Sequence, residues 1–154
     1  MADSFEVNLT GVDELSKKLE SISKDMKFKG GRFALRKAAN IFKNEIKAGA
    51  ERIDDPNSPE RIADNVAVRW SGKTFKRSGN LHFRVGMLGG ARKENKAVGP
   101  GGKTYHWRFK EFGTATQAAE PFVRPAKSKS QAATNEFIAQ YSKAIDRAIK
   151  RAGK

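Results

Sequence analysis

The sequence predicts an α+β fold, a small, mostly antiparallel sheet packed against two long helices with extended basic loops. Three observations carry the prediction. Apolar residues recur at three-and-four spacing over 32–53 and again over 128–152, the pattern of amphipathic helices. Residues 65–71 and 81–88 alternate apolar with polar side chains, as half-buried strands do. Residues 105–126 gather Tyr105, Trp107, Phe109, Phe112 and Phe122 beside Gly113, Pro121 and Pro125, a combination costly to leave unpacked.

In chain order, Phe5, Val7 and Leu9 alternate with Glu6, Asn8 and Thr10, so a short strand is expected up to Gly11. Val12, Leu15, Leu19, Ile22 and Met26 then mark a helix, with Asp13 and Glu14 at its positive end and Lys24 and Lys27 at the other. Gly30-Gly31 is expected to end it. The second helix runs from Arg32 to Ile53, its inward stripe formed by Leu35, Ala38, Ala39, Phe42, Ile46 and Ala50, with Arg36, Lys37, Lys43 and Lys47 off that stripe. Asp54 to Pro59 stops it, and Ser58-Pro59-Glu60 has the makings of a capped extra turn.

Val66, Val68 and Trp70 share one side of the next strand, and Leu81, Phe83, Val85 and Met87 one side of the strand after it. The link between them, 71–80, is too long for a tight hairpin and too basic for a core, so it is expected to project as an arm. Residues 89–104 contain five glycines and a proline and are expected to be flexible unless a partner holds them. Gly113 permits the positive φ that ends a short helical turn, and Pro121 pushes Glu120 towards extended geometry, which together predict a turn followed by an outward arm. The closing helix, Ser128 to Ala152, presents Phe137, Tyr141, Ala144, Ile145 and Ala148 on one face and Lys143, Arg147, Lys150 and Arg151 on the other.

A chain of 154 residues fits one domain able to bury roughly 70% of its unfolded surface. With 38% apolar and 31% charged residues, that core is slender, which suits a subunit that completes its burial against neighbours. The net charge of +14 favours anionic partners such as nucleic acid, membrane surfaces or acidic protein faces. Without cysteine there are no disulfides or thiolate metal sites, and two histidines are too few for a usual zinc constellation, so no cofactor or metal is expected. No stretch approaches the length of a membrane span, and the first residues lack a signal pattern, which predicts manufacture and use in a cytoplasm-like compartment.

Glu111-Phe112-Gly113-Thr114, then Pro121-Phe122-Val123-Arg124-Pro125-Ala126, then a basic closing helix, resembles the signature of a tail-component family of long-tailed bacteriophages. That family is similar in role to the lambda Z-type minor tail protein. The resemblance implies a structural virion protein, a neck or tail-completion subunit, assembled in the host cytoplasm into a homo-oligomeric, hexameric ring at the head-tail junction. It implies the tail terminator or tail tube and the head connector as partners, with the packaged DNA passing through the channel. The expected subunit interface comprises Glu111, Phe112, Gly113, Thr114, Pro121, Phe122, Arg124 and Pro125. Glu111 and Arg124 admit an intramolecular ion pair or one reaching an adjacent subunit; the second is preferred, because a desolvated bidentate pair specifies geometry. Phe122 is read first as a core anchor and second as an inter-subunit knob.

Two other classes compete. Trp70, Lys73, Phe75, Lys76 and Arg77 interleave aromatic and basic residues, and with Arg92 and Lys93 they form the expected contact for DNA or an acidic partner, the mark of a basic DNA-binding accessory protein. A tail terminator capping the tail tube is the neighbouring alternative. Enzymatic readings are weaker. Residues 97–104 and 67–74 both satisfy a relaxed phosphate-loop pattern, yet no later apolar strand ends in a magnesium-holding Asp, and glycine and lysine abundance explains both. His82 and His106 stand at no informative spacing from a nucleophile or carboxylate.

Overall fold

The computed structural model describes residues 17, 20, 23–24, 26–88 and 99–152. The predicted first strand lies outside them. Of the predicted first helix, Lys17, Glu20, Ser23 and Lys24 are described and are helical. A π turn, Met26–Gly30, leads without a break into α1, Gly31–Ile53. Gly30-Gly31 therefore does not stop a helix, as the sequence suggested. The pair makes room instead: a Cβ on Gly30 would lie 2.8 Å from the Ala144 Cβ, and one on Gly31 2.9 Å from the Leu81 Cδ1.

Helix α1 is the spine. Ala34, Ala38, Ala39, Ile46, Gly49 and Ala50 are buried along it, with Leu35 and Phe42 half-buried, so the predicted stripe is the inward face. Asp54 closes the helix, its N–H donating to the Ala50 carbonyl at 3.0 Å. The Asp54 carboxylate then accepts the amides of Ile62 at 2.8 Å and Ala63 at 3.0 Å, capping a 3-10 turn, Ala63–Asn65. That turn lies later than the one expected at Ser58, whose hydroxyl accepts only the Glu60 amide at 3.1 Å.

Strands β1, Val66–Trp70, and β2, Phe83–Met87, pair antiparallel with Val66 opposite Met87 and Trp70 opposite Phe83. Their connection is not an extended arm. Gly72–Ser78 forms a short helix, α2, closed by Gly79 at φ 68°. What folds it is aromatic packing. The Phe75 ring sits 5.4 Å from Trp70 and 5.5 Å from Phe28, and Trp70 also meets Phe83 at 5.2 Å and carries the Arg32 guanidinium 4.5 Å over its face. Two further helices follow, α3, Trp107–Phe112, and α4, Ser130–Ala152, the latter entered through a 3-10 segment, Arg124–Lys129.

Both long helices were expected on one face of the sheet. Only α1 lies against both strands, while α4 packs chiefly on α1 and on the segments that flank it. The centre of the core is Ile46, Ala50, Ile62, Ala63, Val66, Phe122 and Ala126. Alanines form most of the buried apolar set among the described residues, so Phe122 is its largest member. Burying one phenylalanine contributes about 2 to 3 kcal/mol, several times what an alanine can.

Residues 99–104, at the end of the stretch expected to be flexible, are held on the chain itself; 89–98 lie outside the described residues. Asn65, fully buried, donates through Nδ2 to the Gly102 carbonyl at 3.0 Å and the Thr104 hydroxyl at 2.7 Å, and accepts the Gly101 amide at 3.1 Å. The Arg61 amide donates to the Gly101 carbonyl at 2.9 Å. A Cβ on Gly101 would collide with the Arg61 carbonyl. Replacing Asn65 with Ala removes the partner of three polar groups, two of them buried, and we expect urea denaturation to show a loss of about 2 to 4 kcal/mol. A loss below about 0.5 kcal/mol would mean that water replaces the amide without penalty.

Candidate functional site

The aromatic stretch from Tyr105 onward is organised by one carboxylate. Helix α3 turns Trp107 towards the core and Glu111 inward, leaving Glu111 only 1% exposed. Gly113 then reverses the chain at φ 75°, ψ 179°, a conformation essentially confined to glycine. The next turn closes locally, Thr114 N–H donating to the Gln117 carbonyl at 2.9 Å and the Gln117 amide to the Thr114 hydroxyl at 3.0 Å. Glu120 comes back alongside α3, its amide donating to the Lys110 carbonyl at 2.7 Å and its carboxylate meeting the Lys110 ammonium at 3.0 Å.

Glu111 receives the returning segment. Its Oε2 accepts the amides of Phe122 at 2.7 Å and Val123 at 2.9 Å, and its Oε1 accepts the Arg124 amide and Arg124 Nε, each at 3.1 Å. The Arg124 Nη2 reaches the Glu111 carbonyl at 2.7 Å. Those three amides open the 3-10 segment that follows, so Glu111 acts as its N-terminal cap from thirteen positions upstream of Arg124. The expected outward arm is therefore a closed loop on its own chain. Likewise the Glu111–Arg124 pair is intramolecular, not a bridge to a neighbour. Phe122, seated against Gly49 of α1, is a core anchor.

Of the expected interface set, Glu111 and Phe122 lie inside the fold, and Phe112, Thr114, Pro121, Arg124 and Pro125 face outward, with Gly113 between. Phe109 was missed as a surface residue. It lies three positions before Phe112 on the same helical face, 48% exposed against 65% for Phe112, and the Arg124 guanidinium lies 5.6 Å over the Phe112 ring. Had α3 been read with its 3.6-residue period, Trp107 and Glu111 inward would have put Phe109 and Phe112 outward. The result is an apolar face on a short helix held from behind by a buried carboxylate.

The predicted basic contact residues separate. Lys73, Lys76 and Arg77 are exposed along α2, and Arg92 and Lys93 lie outside the described residues. Two cations escaped the sequence reading: Arg69 and Arg84 face each other across the hairpin, both exposed. Strand alternation opposite Val68 and Val85 was the available signal. As for the phosphate-loop patterns, 67–70 are paired in β1, and 99–104 wrap Asn65 before a helix of only six residues.

Burial alone would push the Glu111 carboxyl up, but the amides of Val123, Phe122 and Arg124, joined by the Arg124 guanidinium, outweigh it and hold the group below the usual carboxylate range. Its contribution to stability is complete above the unfolded carboxyl value, about 4.3, and is lost as the pH falls through the lower folded value. Glu111→Gln should cost about 2 to 4 kcal/mol at neutral pH. In urea denaturation the gap between variant and parent should narrow below about pH 4. A gap constant with pH would show that the charge on Glu111 is immaterial.

The family model described as bacteriophage HK97-gp10, putative tail-component, matches residues 13–113, about two thirds of the chain. The matched region takes in α1, the hairpin and α3 with Glu111-Phe112-Gly113, and ends before the amides that Glu111 captures. No curated protein and no solved structure matches. On the extent of that match, the chain belongs to the HK97-gp10 tail-component family of bacteriophages.

Proposed function

We propose that this chain is a structural subunit of the phage neck, a tail-completion protein whose copies form a ring at the head-tail junction and join tail to head. Family membership supports a structural tail role. The observation that carries the finer reading is the Phe109 and Phe112 face, exposed on a six-residue helix whose position Glu111 fixes. An exposed apolar face backed by a rigid clamp is suited to an interface between protein copies. In this reading Arg124, which lies over the Phe112 ring, and the exposed Thr114, Pro121 and Pro125 form its rim. Contact between this face and a different surface on the next copy is heterologous, and such contacts close into rings when the rotation permits. The ring then presents one surface to the tail terminator or tube and the other to the head connector.

Electron microscopy of particles made without this protein tests the assignment: intact heads beside unjoined tails are expected, whereas normal infectious particles would overturn it, and tails of uncontrolled length would mark a terminator instead. A Phe109→Glu, Phe112→Glu double variant probes the interface. The isolated chain should keep its melting temperature within about 3 °C, since both rings are surface groups, yet fail to restore joined particles. Full restoration would remove these two residues from the interface.

A further inference from the structure

We propose that the hairpin unit Val66 to Met87 binds the phosphate backbone of double-stranded DNA, through Arg69 and Arg84 on its outer face and Lys73, Lys76 and Arg77 on the helix at its tip. This surface is separate from the Phe109 and Phe112 face, and the inference stands whether or not the chain forms a ring.

From Val66 to Met87 the sequence holds those five cations and no Asp or Glu. All five are exposed, and among the described residues none is in an ion pair with a carboxylate, although Lys47, Arg61, Lys110, Arg124 and Lys129 elsewhere each have one. The register places Arg69 directly opposite Arg84. Like charges so paired destabilise a hairpin, and among the described residues no carboxylate relieves them. An anion shared by both guanidinium groups does, and the planar fork of arginine matches phosphate oxygens two at a time. Beside the pair, Ala67 stands opposite Gly86, so small residues floor the shallow open recess that Arg69 and Arg84 line. Lys73, Lys76 and Arg77 share one side of α2, which leaves β1 directly and begins its basic stripe four positions after Arg69.

Duplex DNA fits these features better than the other polyanions. Single strands are held by aromatic rings that stack on bases, yet Trp70, Phe75 and Phe83 are engaged with one another and with Phe28 and Arg32. Protein interfaces have apolar centres depleted of charge, whereas this face offers small residues and cations, and residues 66–87 themselves include none of the large exposed apolar side chains. Because the groups aim at phosphates, binding is indifferent to sequence and strongly dependent on salt.

The test is fluorescence anisotropy of the full chain with labelled duplexes of about 30 base pairs and two unrelated sequences, between about 50 and 200 mM salt. Expected are equal affinities for the two and a log-log salt slope of about −3.6 to −4.5, which corresponds to four or five neutralised phosphates. Arg69→Ser, Arg84→Ser should weaken binding about tenfold or more and lower the slope by about 2, with an unchanged or raised melting temperature. A Lys143→Ala, Arg147→Ala control on α4 removes the same charge and should change affinity less than about twofold. Equal losses in the two variants would reduce the effect to net charge and overturn the site. Poly-glutamate competing as well as duplex would transfer the surface to acidic proteins, single strands binding more tightly than duplex would contradict the backbone geometry, and no duplex binding at the lowest salt would end the proposal.

Discussion

The fold of the aromatic segment depends on one buried carboxylate. Glu111 cannot be ionised inside a protein without several donors, and the nearest supply is the run of amides at Phe122, Val123 and Arg124. Collecting them obliges the chain to return after Gly113, and the return carries Phe122 into the centre of the core. The same constraint orients α3, so Phe109 and Phe112 point away from the body. Core and surface at this end of the molecule are thus two results of one electrostatic requirement, linked through a helix of six residues.

Helix α1 supplies the other half of the architecture. Its buried positions are mostly alanine and glycine, which brings α4 and the Phe122 segment close to its backbone. Such a seam has little apolar area per residue, and its strength lies in close contact of many small groups. Polar ties compensate where the hydrophobic part is thin. Asp54 and Asn65 fasten the 3-10 turn and the 99–104 loop to the end of the helix and the start of the sheet, each through its own side chain.

Much of this was legible in the residues. Periodicity located α1 to within one residue at its start and α4 to within two, and alternation found both strands, because in each the pattern repeats over enough positions to outweigh local noise. What escaped was tertiary. Nothing near Glu111 in sequence reveals that its donors lie eleven to thirteen positions later, so the turn was read correctly and the direction of the segment beyond it was not. Residues 71–80 carried too many lysines to be recognised as structured, yet Phe75 among them had Trp70 and Phe28 to meet. The Gly30-Gly31 pair was taken for punctuation when its purpose is proximity, a distinction visible only once α4 is in place. Arg69 and Arg84 were individually unremarkable until the register set them face to face.

The split between Glu111, inside the region that matches the family model, and its donors, outside it, limits how such a protein can diverge. Recombination that exchanged the chain after Gly113 would separate an acid from the amides that tolerate it, and the hybrid would inherit a stranded charge. The acid and the sequence that answers it must therefore travel together, or a descendant must first exchange Glu111 for a neutral side chain.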